Sequence, residues 1–238
     1  MRNKILKTSI TAIAFVWAVA AFSQNENHSS LSLDSFYSKI KSQKNPQIVD
    51  ARTPEEFALN HIEGAVNFNL QSENYDQYVA KLDKSKPVFI YSIGAGRSVI
   101  LEKELLKTGF SEAYSLEGGI ANWIGGGKPF YSNLKSKLSL KEFNKIITDN
   151  KTVLVDIGSK YCGPCKKVKP VLETIRGEYG SNLKIVEIEL EDSPQVIADL
   201  KTIKVFPTLL LYQDGKIVFK KEGISDLKNE VDVALASK

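Results

Sequence analysis

Only two cysteines occur in the 238 residues, Cys162 and Cys165, and they fall together in the run Tyr161-Cys162-Gly163-Pro164-Cys165. All thiol chemistry is thereby confined to a four-residue window. The run follows the apolar segment Val153-Leu154-Val155 and leads into a helix-like stretch from Lys166. A cysteine at a helix start forms its thiolate most readily, because unpaired N–H groups and the positive end of the helix dipole stabilise anionic sulfur. Cys165, one turn on, is placed to close a disulfide with Cys162. The spacing therefore predicts a redox-active dithiol that needs no separate cofactor. Zinc is the other common use of Cys-x-x-Cys, but it requires two further ligands. The chain offers only His28 and His61, so no metal is expected.

The elements that must hold this pair follow from periodicity and punctuation. The second half reads as helix 139–149, strand 152–156, a helix after Cys165, strand 183–189, helix 193–201, strands 208–212 and 216–220, and helix 224–236. Ser139 with Glu142 has the spacing of a capping box, and Asp214-Gly215 between two apolar runs is a hairpin signal. This predicts an α/β sandwich with a mixed sheet. The first half alternates short apolar strands (Ile48-Val49, Val88-Phe89-Ile90-Tyr91) with helices over 74–82 and 98–107, which argues for a parallel sheet with helices on its faces. Leu31-Ser32-Leu33 opens it with a Ser at a helix N-cap. The glycine run 125–127 and the polar Tyr131-Ser132-Asn133 mark the boundary.

Four landmarks in order, Val153-Leu154-Val155-Asp156, Cys162-Gly163-Pro164-Cys165, Pro170 and Val205-Phe206-Pro207-Thr208, give residues 136–238 a close resemblance to thioredoxin. The resemblance implies that Cys162, exposed at the helix start, attacks a substrate disulfide and that Cys165 resolves the mixed disulfide. Asp156, at the end of an apolar strand, is expected to be buried with a raised pKa and to accept the Cys165 proton. Pro207 is implied to be cis and to face the dithiol. The substrate-binding rim is then Tyr161, Gly163 and Pro164 on one side and Phe206, Pro207 and Thr208 on the other. Pro170 should kink its helix. Tyr161 stands where thioredoxins usually carry Trp, with Gly158-Ser159 ahead of it. Glu187 replaces a common Lys and should raise the pKa of a nearby acid or thiol.

Residues 31–130 resemble a rhodanese domain. The run from Ile48 to Phe57, with Asp50-Ala51-Arg52 at its centre, then His61-Ile62-Glu63-Gly64-Ala65-Val66-Asn67, is similar to the family's front half. Leu116-Glu117-Gly118-Gly119-Ile120-Ala121-Asn122-Trp123 is similar to its tail. Active members carry a persulfide-bearing cysteine at the start of the loop between them; here the loop is Ser92-Ile93-Gly94-Ala95-Gly96-Arg97. A serine hydroxyl is no thiolate at neutral pH and stores no sulfane sulfur, so this domain is expected to be inactive as a sulfurtransferase. The backbone N–H groups of Ser92, Gly94, Ala95 and Gly96, with Arg97 nearby, could hold an oxyanion. The alternative is a degenerate scaffold for the dithiol domain. Gly94-Ala95-Gly96 does not continue into a dinucleotide fingerprint, because Val99 takes the third glycine position. Asp50 and Arg52 are expected to brace the loop, and His61 to be a structural hydrogen-bonding residue.

The first 23 residues read as a cleaved secretory signal: Arg2, Lys4 and Lys7, an apolar run from Thr8 to Phe22, and small residues at Ala21 and Ser23. The run falls short of the roughly 20 residues a membrane span requires. Residues 24–30 read as a flexible leader. Export to the periplasm or beyond is the expectation. Removing Arg2, Lys4 and Lys7 leaves 29 basic against 28 acidic residues, which excludes an electrostatic nucleic-acid binder. Two functions stay open. One is an exported disulfide reductase acting on protein or small-molecule disulfides and fed by a membrane-embedded electron donor. The other is a binding or scaffold protein whose first domain recognises an anion or partner while the dithiol serves as sensor or tether.

Overall fold

In a computed structural model, residues 30–236 are described. The expected signal segment and all of the leader but Ser30 lie outside the described residues. The first unit runs α1 (Leu33–Ser42), β1 (Gln47–Asp50), α2 (Pro54–Leu59), β2 (Asn60–Ile62), β3 (Val66–Asn67), α3 (Tyr75–Val79), β4 (Val88–Tyr91), α4 (Gly96–Lys107), β5 (Ala113–Ser115), α5 (Gly119–Gly125) and β6 (Phe130–Ser132). The second runs α6 (Leu140–Asp149), β7 (Thr152–Gly158), α7 (Val168–Tyr179), β8 (Lys184–Glu189), α8 (Pro194–Leu200), β9 (Thr208–Gln213), β10 (Lys216–Glu222) and α9 (Leu227–Ala236).

Local signals set many of these boundaries. Ser32 caps α1, and Ser139 and Glu142 form the reciprocal capping box of α6. Asp214 and Gly215 both take positive φ (49° and 79°), as the tight hairpin between β9 and β10 requires. The helix expected over 74–82 is shorter: past Val79 the chain tightens into turns, the Lys81 and Leu82 amides donating to the Tyr78 and Val79 carbonyls, before Asp83 leads it away. Its Oδ1 accepts from the Ser85 amide and hydroxyl, and its own amide donates to Gln47.

The first sheet is parallel, in the order β3-β1-β4-β5, and β2 pairs with β6 beside it. The second sheet has the order β10-β9-β7-β8, with β7 parallel to β8 and antiparallel to β9. Period-two alternation gives each sheet two apolar faces. In β4, Val88 and Ile90 join an outer core with Leu101 and Leu105 of α4. In β9, Leu209 and Leu211 join another with Leu172 and Ile175 of α7. The alternate residues, Phe89 and Tyr91 in β4 and Leu210 and Tyr212 in β9, point to one common core. Helices α1 and α5 from the first unit and α6 and α8 from the second fill that core. Phe36, Ile120 and Ile124 lie in the same cluster as Phe143, Val196 and Ile197. The two units therefore share a core between their sheets.

Backbone approach at two glycines fixes the contact. A Cβ on Gly125, at the end of α5, would lie 2.2 Å from the Ile203 carbonyl oxygen. One on Gly118 would lie 2.1 Å from that of Lys204, and Gly118 also takes φ +69°. The glycine run 125–127, read from sequence as a boundary, thus begins with a buried packing residue.

Candidate active site

Strand β7 delivers Asp156 and Gly158 into the second unit, and a turn over residues 159–163 leads to a 3-10 turn, Pro164–Lys167, ahead of α7. Cys162 and Cys165 are joined in a disulfide. Both are buried, at 4% and 8% exposure, which corrects the expectation of an exposed Cys162. The α-helix proper starts only at Val168, so the first donor to the Cys162 sulfur is local: the Cys165 amide, 3.2 Å from Sγ. Pro170 falls in the first turn of α7, where its missing N–H is tolerated. The irregularity is the 3-10 turn before the helix, not the expected kink inside it.

The turn is tied down by a residue that the sequence reading missed. Glu191, buried between β8 and α8, accepts from the Ser159 hydroxyl (2.6 Å) and the Lys160 amide (3.0 Å). Ser159 Oγ in turn accepts from the Tyr161 amide (3.1 Å), and the Cys162 amide donates to the Ser159 carbonyl (3.1 Å). Burial raises the Glu191 carboxyl above its ordinary value against these hydrogen bonds. Gly158, noted in the sequence only for its place ahead of Tyr161, packs on the inner sulfur. A Cβ there would lie 3.1 Å from Cys165 Sγ, so glycine leaves the room that the inner sulfur occupies.

Asp156 is 8% exposed and its Oδ1 has no hydrogen-bond partner. Burial first, then the negative charges of Glu187 and Glu189, push its carboxyl up to about 7, with Lys169 opposing. Glu187 is its register partner across β7 and β8, so the replacement noted in the sequence acts in the expected direction. A carboxyl of this kind is neutral or ionised within easy reach of neutral pH, as a proton carrier for a thiol must be.

The Phe206-Pro207 bond is cis. Pro207 and Thr208 are nevertheless buried. The Thr208 hydroxyl donates to the Val205 carbonyl (2.7 Å), and the Pro207 carbonyl accepts from Gly223 (2.9 Å). Val205 and Phe206 line the cleft before the dithiol, together with Tyr161, Gly163 and Pro164. Of the six residues expected at the rim, Tyr161, Gly163, Pro164 and Phe206 line this cleft, and Val205 joins them.

In the first unit the 92–97 loop connects β4 to α4. Ser92 is buried, its hydroxyl donating to the Gly94 carbonyl (2.8 Å) and accepting from the Ser98 amide (3.4 Å). Arg97 is not free for an anion: its two terminal nitrogens bind both oxygens of Glu56 at 2.6 and 2.8 Å. Glu56 also closes the capping box of α2 with Thr53. Burial would raise its carboxyl, but the Arg97 hydrogen bonds, the Thr53 amide and the charges of Arg97 and Arg52 hold it below its ordinary value. Asp50 and Arg52 form a fully buried pair that braces Asn60 at the start of β2, so the brace on the loop is Glu56 and not this pair. His61 binds the Phe57 carbonyl through Nδ1 (2.8 Å) and stacks between Phe57 and Tyr131, the structural role expected of it.

These two sites meet. The 92–97 loop and Glu56 form one wall of a cleft of about 710 Å3 whose other wall is the 160–164 turn, including Cys162, with Phe206. The sequence carried no local sign of this juxtaposition, which depends on the α5–α8 contact.

A dithiol on the turn after a strand that carries a buried carboxyl, sharing a cleft with the residues that lead into a cis-proline bond, defines on this fold a thioredoxin-type disulfide oxidoreductase, preceded here by a rhodanese-like α/β domain. The family profiles agree, Thioredoxin matching residues 135–234 and Rhodanese-like domain residues 32–125. Thioredoxin of Pyropia yezoensis is 39% identical over 74 residues, covering 31% of this chain and 68% of that protein. Thioredoxin of Staphylococcus saprophyticus is 34% identical over 80 residues, covering 34% and 76%. A solved Plasmodium falciparum thioredoxin aligns at 26% identity with a TM-score of 0.38, covering 44% of this chain and all of that one. The chain belongs to the thioredoxin family through its second domain.

Proposed function

We propose that this protein is an exported reductase of disulfides, working through Cys162 as nucleophile and Cys165 as resolving thiol, with electrons drawn from a membrane-embedded donor. The observation that carries the reading is the Cys162–Cys165 disulfide on the turn that leaves β7, the strand whose buried Asp156 Oδ1 has no partner. The bifunctional thioredoxin reductase/thioredoxin of Mycobacterium leprae, 36% identical over 81 residues, joins a thioredoxin to its reductase in one chain. That chain supports a role in relaying electrons. The first domain carries no sulfur in this scheme, because Ser92 stands where the thiolate would be. Its core is merged with that of the dithiol domain, which supports a scaffold role.

The test is a redox titration of the dithiol. A potential near the thioredoxin value, about −270 mV, is expected, and one near about −120 mV would make the protein an oxidant and end the reductase reading. In parallel, Cys162→Ser should abolish oxidation of the pre-reduced protein by hydroxyethyl disulfide. A thiosulfate–cyanide assay should give no thiocyanate; formation of thiocyanate would return sulfur transfer to the first domain.

A further inference from the structure

The cleft shared by the two domains has a consequence for what the dithiol can reach. Both sulfurs are buried, and the space in front of Cys162 is bounded on its far side by the 92–97 loop. Its volume, about 710 Å3, falls inside the range of about 300–1,000 Å3 typical of small-molecule sites. The backbone just ahead of the cis-proline loop is already covered, since Gly118 and Gly125 sit on the carbonyls of Lys204 and Ile203. A folded protein bringing its own surface to Cys162 would have to displace that packing. The wall is firm, held by the bidentate Arg97–Glu56 pair and the shared core. Of the cations on the cleft, Arg97 is paired with Glu56 and Lys160 with Asp192 and Glu189. Lys166, also on the cleft, is in none of these ion pairs.

We infer that the first domain is the outer wall of a composite substrate site, selecting low-molecular-weight disulfides that carry carboxylates over disulfides in folded proteins. The inference rests on the reductase reading and narrows it. In the reaction, the Cys162 thiolate attacks one substrate sulfur and expels the first thiolate. Cys165, as thiolate, then attacks Cys162 Sγ in the mixed disulfide and expels the second. Two electrons pass to the substrate, two thiols leave with the dithiol's protons, and the Cys162–Cys165 disulfide remains.

The full-length protein, pre-reduced and freed of reductant, is mixed with glutathione disulfide, hydroxyethyl disulfide or insulin, and the rate constant for oxidation of its dithiol is measured. Glutathione disulfide should react at least about ten-fold faster than insulin. Gly94 has ordinary φ and open space beyond its Cβ position. Gly94→Trp should therefore fill the cleft and slow glutathione disulfide by about five-fold or more. Lys166→Gln should slow it by about three-fold and flatten its salt dependence. Insulin reacting as fast as glutathione disulfide overturns the inference. A second arm does not depend on how the loop variant folds. Glutathione trapped on Cys162 in the Cys165→Ser protein should lie, in a crystal structure, between Tyr161 and the 92–97 loop; a glutathionyl group pointing away from that loop also overturns it. If even hydroxyethyl disulfide leaves the dithiol reduced, the reductase reading itself has failed.

Discussion

Asp156 links stability to pH in a direction opposite to that of most carboxylates. Its pKa is 3.8 in the unfolded chain and about 7 in the fold, so between those values the folded state holds the extra proton. Stability from this group is fully present below about pH 4 and is lost as pH rises through 7, a change on the order of 4 kcal/mol. Urea denaturation of the disulfide form should show Asp156→Asn more stable than the parent at pH 8 and nearly equal to it at pH 4. A parent whose stability climbs from pH 5 to pH 8 faster than that of the variant would contradict the assignment. On the proposed mechanism Asp156 takes the Cys165 proton, which the same substitution would prevent. Release of the second thiolate from a mixed disulfide at pH 7 should therefore slow by at least about ten-fold, read by stopped flow.

At the scale of elements, the active turn is suspended between β7 and the β8–α8 connection. Glu191→Ala would leave the Ser159 hydroxyl and the Lys160 amide without their buried acceptor, at a cost of about 1–3 kcal/mol, measurable as a fall in Tm. Gly158→Ala should also destabilise, by about 1–3 kcal/mol through overpacking against Cys165, and more in the disulfide form than in a Cys165→Ala background. What could be read in the sequence at this scale was local. Ser139 and Glu142 announce a capping box, Asp214-Gly215 a hairpin, and the alternating strands their two faces. Asp156 was legible as a buried acid because apolar neighbours surround it. Glu191 was not, because its partners Ser159 and Lys160 lie some thirty residues earlier and an acidic residue before Asp192-Ser193 reads as an ordinary surface loop; the packing role of Gly158 was not, because only the folded turn brings Cys165 Sγ against it.

For the molecule as a whole, a core common to two sheets predicts one cooperative unfolding event. Calorimetry of the full chain should give a single transition with matching calorimetric and van't Hoff enthalpies; two separable transitions would contradict a shared core. Gly125→Val, placed against the Ile203 carbonyl, should lower Tm and split or broaden that transition. The sequence could not show this union. Gly125-Gly126-Gly127 has the composition of a flexible joint, and only the position of α8 reveals that its first member is a contact point. The merged core also bears on how the polypeptide is made. Phe36, Phe89 and Trp123 emerge from the ribosome long before Val196, Ile197 and Ile203, which complete the core around them. Until the last third of the chain has been synthesised, the faces of α1 and α5 that the second unit covers have nothing to pack on, so a chain stopped short of α8 should expose apolar surface that the whole protein buries.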